Sequence, residues 1–476
     1  MWPEMQKRIE NKRHRSIQDD DWLYNLLSPL VQYGCRCHYD GFVVRGSEHL
    51  PQDAPYIIAP CHQQALMEPL AVLCFAPKPP VFLARADLFR KPALRRALTF
   101  LKIMPVYRIR DGIETLDRNQ AIFDRCREVL LDGTPLCLMA EGRHNNRHHL
   151  LPLGKGMFRI AGETQLSLAG RPLYIVPTGI DFDDYERPYS NLVVNIGQPI
   201  AVRPYMDTYR TNEPLALNQM RDALSAALMP LMHDVRHEER YDDIMTLCHV
   251  LNRPLRRQQR MADSAWNRFR VRQQVAQRMD ALAEAENAAF LRLADAAAAL
   301  RDRCRRLGLR PQVLSEHWPW VPTLVLALAI LLGVVLLVGW RPLRMVALFA
   351  LLCYPLPLLP THRLIRRRVA DTQFRSSFNW GVRFFGSLAY VLVAAVALAV
   401  VGCGWMDSLT GLRLGGWWGA VAVAWAFVAA RLTAPVATLL RRTVDSLHYW
   451  LLRLTRRRPL RDAERLRDEI FQQLMS

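Results

Sequence analysis

Residues 56–68 read Tyr56-Ile-Ile-Ala-Pro-Cys-His-Gln-Gln-Ala-Leu-Met-Glu68, and the rest of the chain is organised around them. The apolar run from Tyr56 to Ala59 reads as a buried strand that delivers His62 to the mouth of a turn. Glu68 follows, and Pro69-Leu-Ala-Val-Leu73 resumes as an apolar helix. Histidine is the side chain whose ordinary pKa suits proton transfer near neutrality, and a carboxylate fixes its tautomer and orientation. Taken alone, such a pair is ordinary: a satisfied histidine in a loop. What stands around it decides.

Working outward, 41–46, 80–84, 103–107, 135–140, 173–180 and 191–196 read as further strands, while 118–131 and 156–161 have helical spacing. The basic segment from Arg90 to Arg96 starts another helix. Strands apolar on both faces and alternating with helices predict an α/β fold, a mixed sheet flanked by helices, over 35–205. Ahead of it, 1–34 is a charged N-terminus with an interfacial amphipathic helix at 22–33, interrupted at Pro29 and too short to span a bilayer. After it, 206–316 loses its strand signals and fills with strong helix formers, predicting a helical hairpin or bundle whose arginines solvate exposed faces. A multi-span α-helical membrane region is expected at 317–442, with about four spans (318–340, 345–360, 384–406 and 417–440), and 443–476 reads as a basic tail. The second stretch is short and proline-rich, so a re-entrant segment is the other reading of it.

The net charge of +19 is carried mostly by arginine. With no zinc-finger spacing, RNA-binding signature or lysine-rich tail beside it, that excess points to membrane lipid and away from nucleic acid. The ten cysteines form no C-x-x-C pair and sit as small hydrophobes would, which suits a reducing compartment. Met1 to Asp21 lacks an apolar signal-peptide core. Between the second and third of these spans, Arg363, Arg366, Arg367, Arg368, Arg375 and Arg383 outweigh Arg341, Arg344 and Arg413 on the outer connections. By the positive-inside rule that loop, the α/β domain and the tail face the cytoplasm, in an integral protein of a bacterial inner membrane.

His62 with its acid is followed in order by Pro105-Val-Tyr-Arg108, by Glu141-Gly142 after a buried strand, and by Val176-Pro177. This series resembles the four blocks of the glycerolipid acyltransferase family, which includes the glycerol-3-phosphate and 1-acylglycerol-3-phosphate acyltransferases. A branch with C-terminal membrane spans, whose first block runs His-Gln-Asn-Ala-Leu-Met-Asp, is similar to His62-Gln-Gln-Ala-Leu-Met-Glu68, and Asp371-Thr-Gln-Phe-Arg-Ser-Ser377 resembles its later part. Several positions depart from the family: Cys61 for Asn, Lys102 for Gly, Met139-Ala140 for Phe-Pro, Arg143 for Thr, and Glu68 for Asp, one methylene longer.

The resemblance implies an O-acyltransferase in which His62 is the general base and Glu68 its carboxylate partner. Arg108 would hold the acceptor phosphate, with Glu141 and Gly142 binding the acceptor and Arg143 and Lys155 adding positive charge. It implies no cofactor: acyl-CoA or acyl carrier protein is a co-substrate, and the acceptor is glycerol phosphate or a lysophospholipid. Two other readings stay open, a catalytically degenerate lipid-binding or scaffolding protein and an acyltransferase acting on a different lyso-lipid. His144, His148 and His149 lack the companions a metal needs, and Gly154-Lys155-Gly156 is too short for a nucleotide phosphate loop.

Overall fold

In chain order, helix α1 (Trp22–Cys37) and strand β1 (Gly41–Arg45) lead to β2 (Tyr56–Pro60), α2 (Met67–Phe75), β3 (Val81–Arg85), α3 (Pro92–Phe100) and β4 (Ile103–Val106). Then come α4 (Leu116–Leu131), β5 (Leu136–Cys137), α5 (Gly156–Ser167), β6 (Tyr174–Phe182), β7 (Asn191–Ile196), β8 (Ile200–Ala201), α6 (Met206–Thr211) and α7 (Glu213–Leu228). The structure, a computed structural model, describes residues 16–107, 116–143, 145, 147–168, 170–353 and 361–475. The chain divides into two compact units, one from 1–35, 44–181 and 194–232, the other from 36–43, 182–193 and 233–476.

The sheet has the strand order β1-β7-β6-β2-β5-β3-β4, with β8 pairing antiparallel to β6. Strand β2 lies between β6 and β5 and is parallel to both, so every one of its residues is buried. That position explains why its sequence is apolar without alternation: a central parallel strand is covered on both faces. The core of this unit gathers Ile57, Val81, Leu136, Phe158, Leu173 and Ile175 under the flanking helices. Pro105 is accommodated because β4 is an edge strand, where a missing N–H breaks no ladder.

Three details differ from the sequence expectation. Helix α1 continues through Pro29 to Cys37, so the proline does not interrupt it. Strand β5 pairs only at Leu136 and Cys137, after which the chain peels away to carry Glu141. Strand β6 runs to Phe182, two residues beyond the expected end at 180, and the Pro177 carbonyl accepts from the Gly197 N–H at 2.9 Å.

Lys102 adopts φ +58°, a left-handed conformation that favours glycine, which is what the family carries there. Here the side chain compensates. Its Nζ donates to the carbonyls of Ile17, Gln18 and Asp19 at 3.2, 3.1 and 3.0 Å and lies 5.5 Å from the centre of the Tyr24 ring. The lysine thereby ties the start of α1 to the turn before β4.

The second unit is helical beyond residue 233: α8 (Tyr241–Val250), α9 (Asn252–Gln258), α10 (Ala265–Glu284), α11 (Ala288–Arg306), α12 (Val313–Glu316), α13 (Trp320–Gly339), α14 (Arg341–Leu352), α15 (Thr361–Arg368), α16 (Thr372–Val401), α17 (Gly404–Thr410), α18 (Trp418–Thr455) and α19 (Arg457–Met475). Helices α8, α10 and α11 share one core with the end of α18 and with α19, through Ile244, Val275, Leu300, Tyr449, Leu460 and Ile470. The basic segment 443–476 is therefore folded into the helical bundle.

Among the described residues three helices are long and apolar enough to cross a membrane: α13, α16 and α18. Their large apolar side chains point outward, Val325, Leu332, Leu392, Val400 and Phe427 among them, as lipid-facing residues do. In the stretch 345–360, the described part is the end of α14, a helix of 12 residues, and 354–360 lie outside the described residues.

Candidate active site

His62 sits just beyond the carboxyl end of β2, at the crevice where open α/β sheets place their ligands. Its backbone is held on both sides. The His62 N–H donates to Glu141 Oε1 at 2.6 Å, and its carbonyl accepts from the Asn145 N–H at 3.3 Å. The imidazole keeps 13% of its surface exposed, so it is held but reachable.

Glu68 is fully buried in the first turn of α2. One carboxylate oxygen, Oε1, accepts the N–H groups of both Gln63 and Gln64. The other, Oε2, faces His62 Nδ1 at 3.5 Å. That separation is longer than a hydrogen bond, the kind of spacing that tightens when substrate is bound. The turn between strand and helix is therefore wrapped around the glutamate, and the extra methylene lets one oxygen secure the loop while the other addresses the histidine.

Glu141 arrives from the end of β5 and is also buried. Its two oxygens take the N–H of His62 and, at 3.0 Å, the N–H of Leu151. Burial pushes its pKa up to about 7, against the lowering effect of those two hydrogen bonds and of His62, with Glu68 adding to the rise. The carboxylate thus serves as a brace between two loops, and its role in this structure is to set the backbone of His62. Gly142, with φ +64°, turns the chain there, and its N–H is taken by the Met139 carbonyl at 3.1 Å.

Cys61, at the position where the family carries Asn, bridges to β6. Its Sγ accepts the Ile180 N–H at 3.1 Å and donates to the Ile180 carbonyl at 3.4 Å. Burial, followed by the charge of Glu141, holds the thiol well above the usual range. It is a neutral structural bridge and not a nucleophile.

Of the residues singled out in the sequence, the structure brings His62, Glu68 and Glu141 together. Arg143 and Lys155 are exposed, Lys155 at the start of α5. Arg108 and His144 lie outside the described residues. Sequence reasoning missed a second pair: His148 and Asp181, each 2% exposed, approach to 3.5 Å. The available signal was Asp181, an acid closing the apolar run of β6 beside the strand that carries His62.

Residues 41–181 match the family model named Acyltransferase, and this span contains His62, Glu68 and Glu141. No curated protein matches the chain. Among solved structures, the crystal structure of the 1-acyl-sn-glycerophosphate acyltransferase of Thermotoga maritima is similar at 20% identity, covering 42% of this chain and 78% of that one. The TM-score is 0.30, too low to carry an argument.

Proposed function

We propose, from the match of residues 41–181 to the Acyltransferase family model, that the protein moves a fatty acyl group from a thioester, acyl-CoA or acyl carrier protein, to a hydroxyl of glycerol 3-phosphate or 1-acylglycerol 3-phosphate in phospholipid synthesis. One observation carries the reading: His62 Nδ1 faces a buried carboxylate oxygen of Glu68, whose other oxygen is locked by two backbone N–H groups. A proton on Nδ1 is directed toward Glu68, which gives Nε2 the role of base. In that reaction Nε2 takes the acceptor's hydroxyl proton as the oxygen attacks the thioester carbonyl. Glu68 stabilises the imidazolium, the tetrahedral adduct expels the sulfur, and His62 returns the proton to the thiolate. The new ester and the free thiol balance the step without an acyl-enzyme, consistent with a buried, neutral Cys61.

Arg108 suits the acceptor phosphate because a planar guanidinium makes paired contacts to phosphate oxygens. Exposed Arg143 and Lys155 and the turn at Gly142 supply further acceptor-side contacts on the loop that follows β5. The three long apolar helices support a membrane-inserted protein. We assign it to a bacterial inner membrane with the acyltransferase domain on the cytoplasmic side, on the asymmetry of its arginine-rich connections.

The test is acyl transfer by membranes containing the protein, supplied with labelled acyl-CoA or acyl carrier protein and a panel of acceptors with and without phosphate. Transfer confined to phosphate-bearing acceptors, and lost in Arg108→Gln, is the expected result. Transfer only to acceptors lacking phosphate would remove Arg108 from its role. Lipid binding with no transfer to any acceptor would leave the scaffold reading instead.

A further inference from the structure

The helical unit holds a partly open cavity of about 140 Å³ that the acyl-transfer chemistry does not use. A single water needs roughly 10–15 Å³ on the same measure, so the space admits a group of several heavy atoms. Its lining comes from stretches far apart in sequence: the segment after β6, the turn before α12 and the end of α18. Six arginines and five carboxylates contribute to it, an excess of one positive charge.

Three of those arginines identify where the excess lies. Arg187 has Asp184 at 3.5 Å, and Arg310 is paired with Asp445. For Arg441 the polar contact within the unit is the Pro188 carbonyl, at 3.4 Å, and no carboxylate lies within ion-pair distance among the described residues. Burial holds Arg187 below the usual arginine range, Asp184 opposes this and Arg310 adds to it, as expected when guanidinium groups converge. One turn before Arg441 on the same face of α18, Thr438 also lines the cavity. Its buried hydroxyl oxygen has no hydrogen-bond partner among the described residues. A hydroxyl and an unmatched guanidinium facing one cavity are an incomplete anion site.

The position of the cavity along the spanning helices points to the anion's nature. Arg441 immediately follows the apolar run of α18. At the same level the chain enters α13, since the Trp318 N–H donates to Ser446 Oγ at 3.0 Å and Trp450 Nε1 donates to the Trp318 carbonyl at 3.0 Å. The start of α16 is anchored there too, by Arg375 on Glu186 at 2.8 Å. Tryptophans and arginines at the ends of apolar helices mark the headgroup layer of a bilayer. We propose that this cavity binds a phosphate monoester, with Arg441, Arg187 and Arg310 meeting its oxygens and Thr438 completing the set. A phosphate monoester carries the double negative charge that three converging guanidiniums suit, and the headgroup layer is where lipids bearing one present it. The inference is independent of the acyl-transfer reading.

The experiment uses full-length protein in detergent and in phosphatidylcholine vesicles, carrying Arg108→Gln so that the acyltransferase domain contributes no phosphate contact. Retention of labelled phosphatidate is measured, with glycerol 3-phosphate and inorganic phosphate as competitors. Arg441→Gln is expected to weaken retention about tenfold and Thr438→Val about threefold, as loss of one charge-assisted and one neutral hydrogen bond would. Arg441→Lys, which keeps the charge and loses the fork, falls between wild type and Arg441→Gln. Displacement by soluble phosphates assigns a soluble monoester as ligand, and retention that resists them assigns the lipid; either supports the site. Equal retention in wild type, Arg441→Gln and Thr438→Val, or equal retention of phosphatidylcholine and phosphatidate, overturns it.

Discussion

The crevice at His62 and the cavity at Arg441 are opposites in construction. At His62 the buried charges are carboxylates, and each is spent on backbone: Glu68 on the N–H groups of Gln63 and Gln64, Glu141 on those of His62 and Leu151. Of these three side chains, the imidazole is the one left reachable. At Arg441 the charges are guanidiniums and, among the described residues, their carboxylate partners are fewer than the arginines and a hydroxyl stands unsatisfied. The first arrangement fixes one side chain in one place, as proton transfer requires; the second leaves a deficit for something else to fill. Preorganisation marks the chemistry, incompleteness marks the binding.

The largest expected effect separates the two jobs of Glu68. Glu68→Gln keeps an oxygen for Gln63 and Gln64 but turns an amide toward His62 Nδ1. Thermal stability should hold within about 1 kcal/mol while the acyl-transfer rate falls by roughly a thousandfold or more, the cost of presenting the wrong histidine tautomer. Parallel losses in rate and stability would mean that Glu68 only holds the loop.

Next comes Glu68→Asp, which restores the family's residue. In this chain the loop is wrapped around the longer side chain, so shortening it withdraws either the backbone contacts or the face toward His62. A fall in kcat of up to about a hundredfold is expected, the scale of a 1 Å misplacement. A gain in rate would show instead that Glu68 is an impaired version of the aspartate.

A smaller effect is read in pH. Burial raises Glu141 from its ordinary value of 4.5 to about 7. Between those values the unfolded chain has released the proton and the folded protein keeps it, so stability is fullest below about pH 4.5 and falls as pH rises to 7. The drop should approach about 3 kcal/mol at 1.36 kcal/mol per unit. Thermal midpoints across pH 4.5–8 report it, and Glu141→Gln should flatten that slope. An unchanged slope in the variant would assign it to other groups.

The smallest effect lies at the N-terminus. Lys102→Met keeps the stem and removes the donor to the carbonyls of Ile17, Gln18 and Asp19. About 1–3 kcal/mol of local stability should go, seen as faster amide exchange in α1 with the exchange of β2 unchanged. Equal exchange in α1 would mean that the lysine does not hold the helix.

The first region was legible in the sequence and the second was not, for a physical reason. A central parallel strand writes itself as an unbroken apolar run, so Tyr56 to Ala59 announced β2, and His62 and Glu68 follow within one turn of chain. Glu141 was legible by the same logic, though its task as a backbone brace was not, because hydrogen bonds to N–H groups ten or more residues away leave no local mark. His148 and Asp181 meet only through the sheet. Arg187, Arg310 and Arg441 are brought together by helix packing, and each reads singly as a solvated arginine. Pro29 misled because its fixed φ is compatible with a helix that simply forgoes one hydrogen bond.

The most direct test of the account is the rate of acyl transfer from labelled acyl-CoA or acyl carrier protein to 1-acylglycerol 3-phosphate and to glycerol 3-phosphate, comparing wild-type protein with His62→Ala in the same membranes. The account predicts transfer to at least one of these acceptors by the wild type and its loss in the variant, by about a thousandfold or more. Equal rates in the two, or no transfer by the wild type to either acceptor, would contradict it.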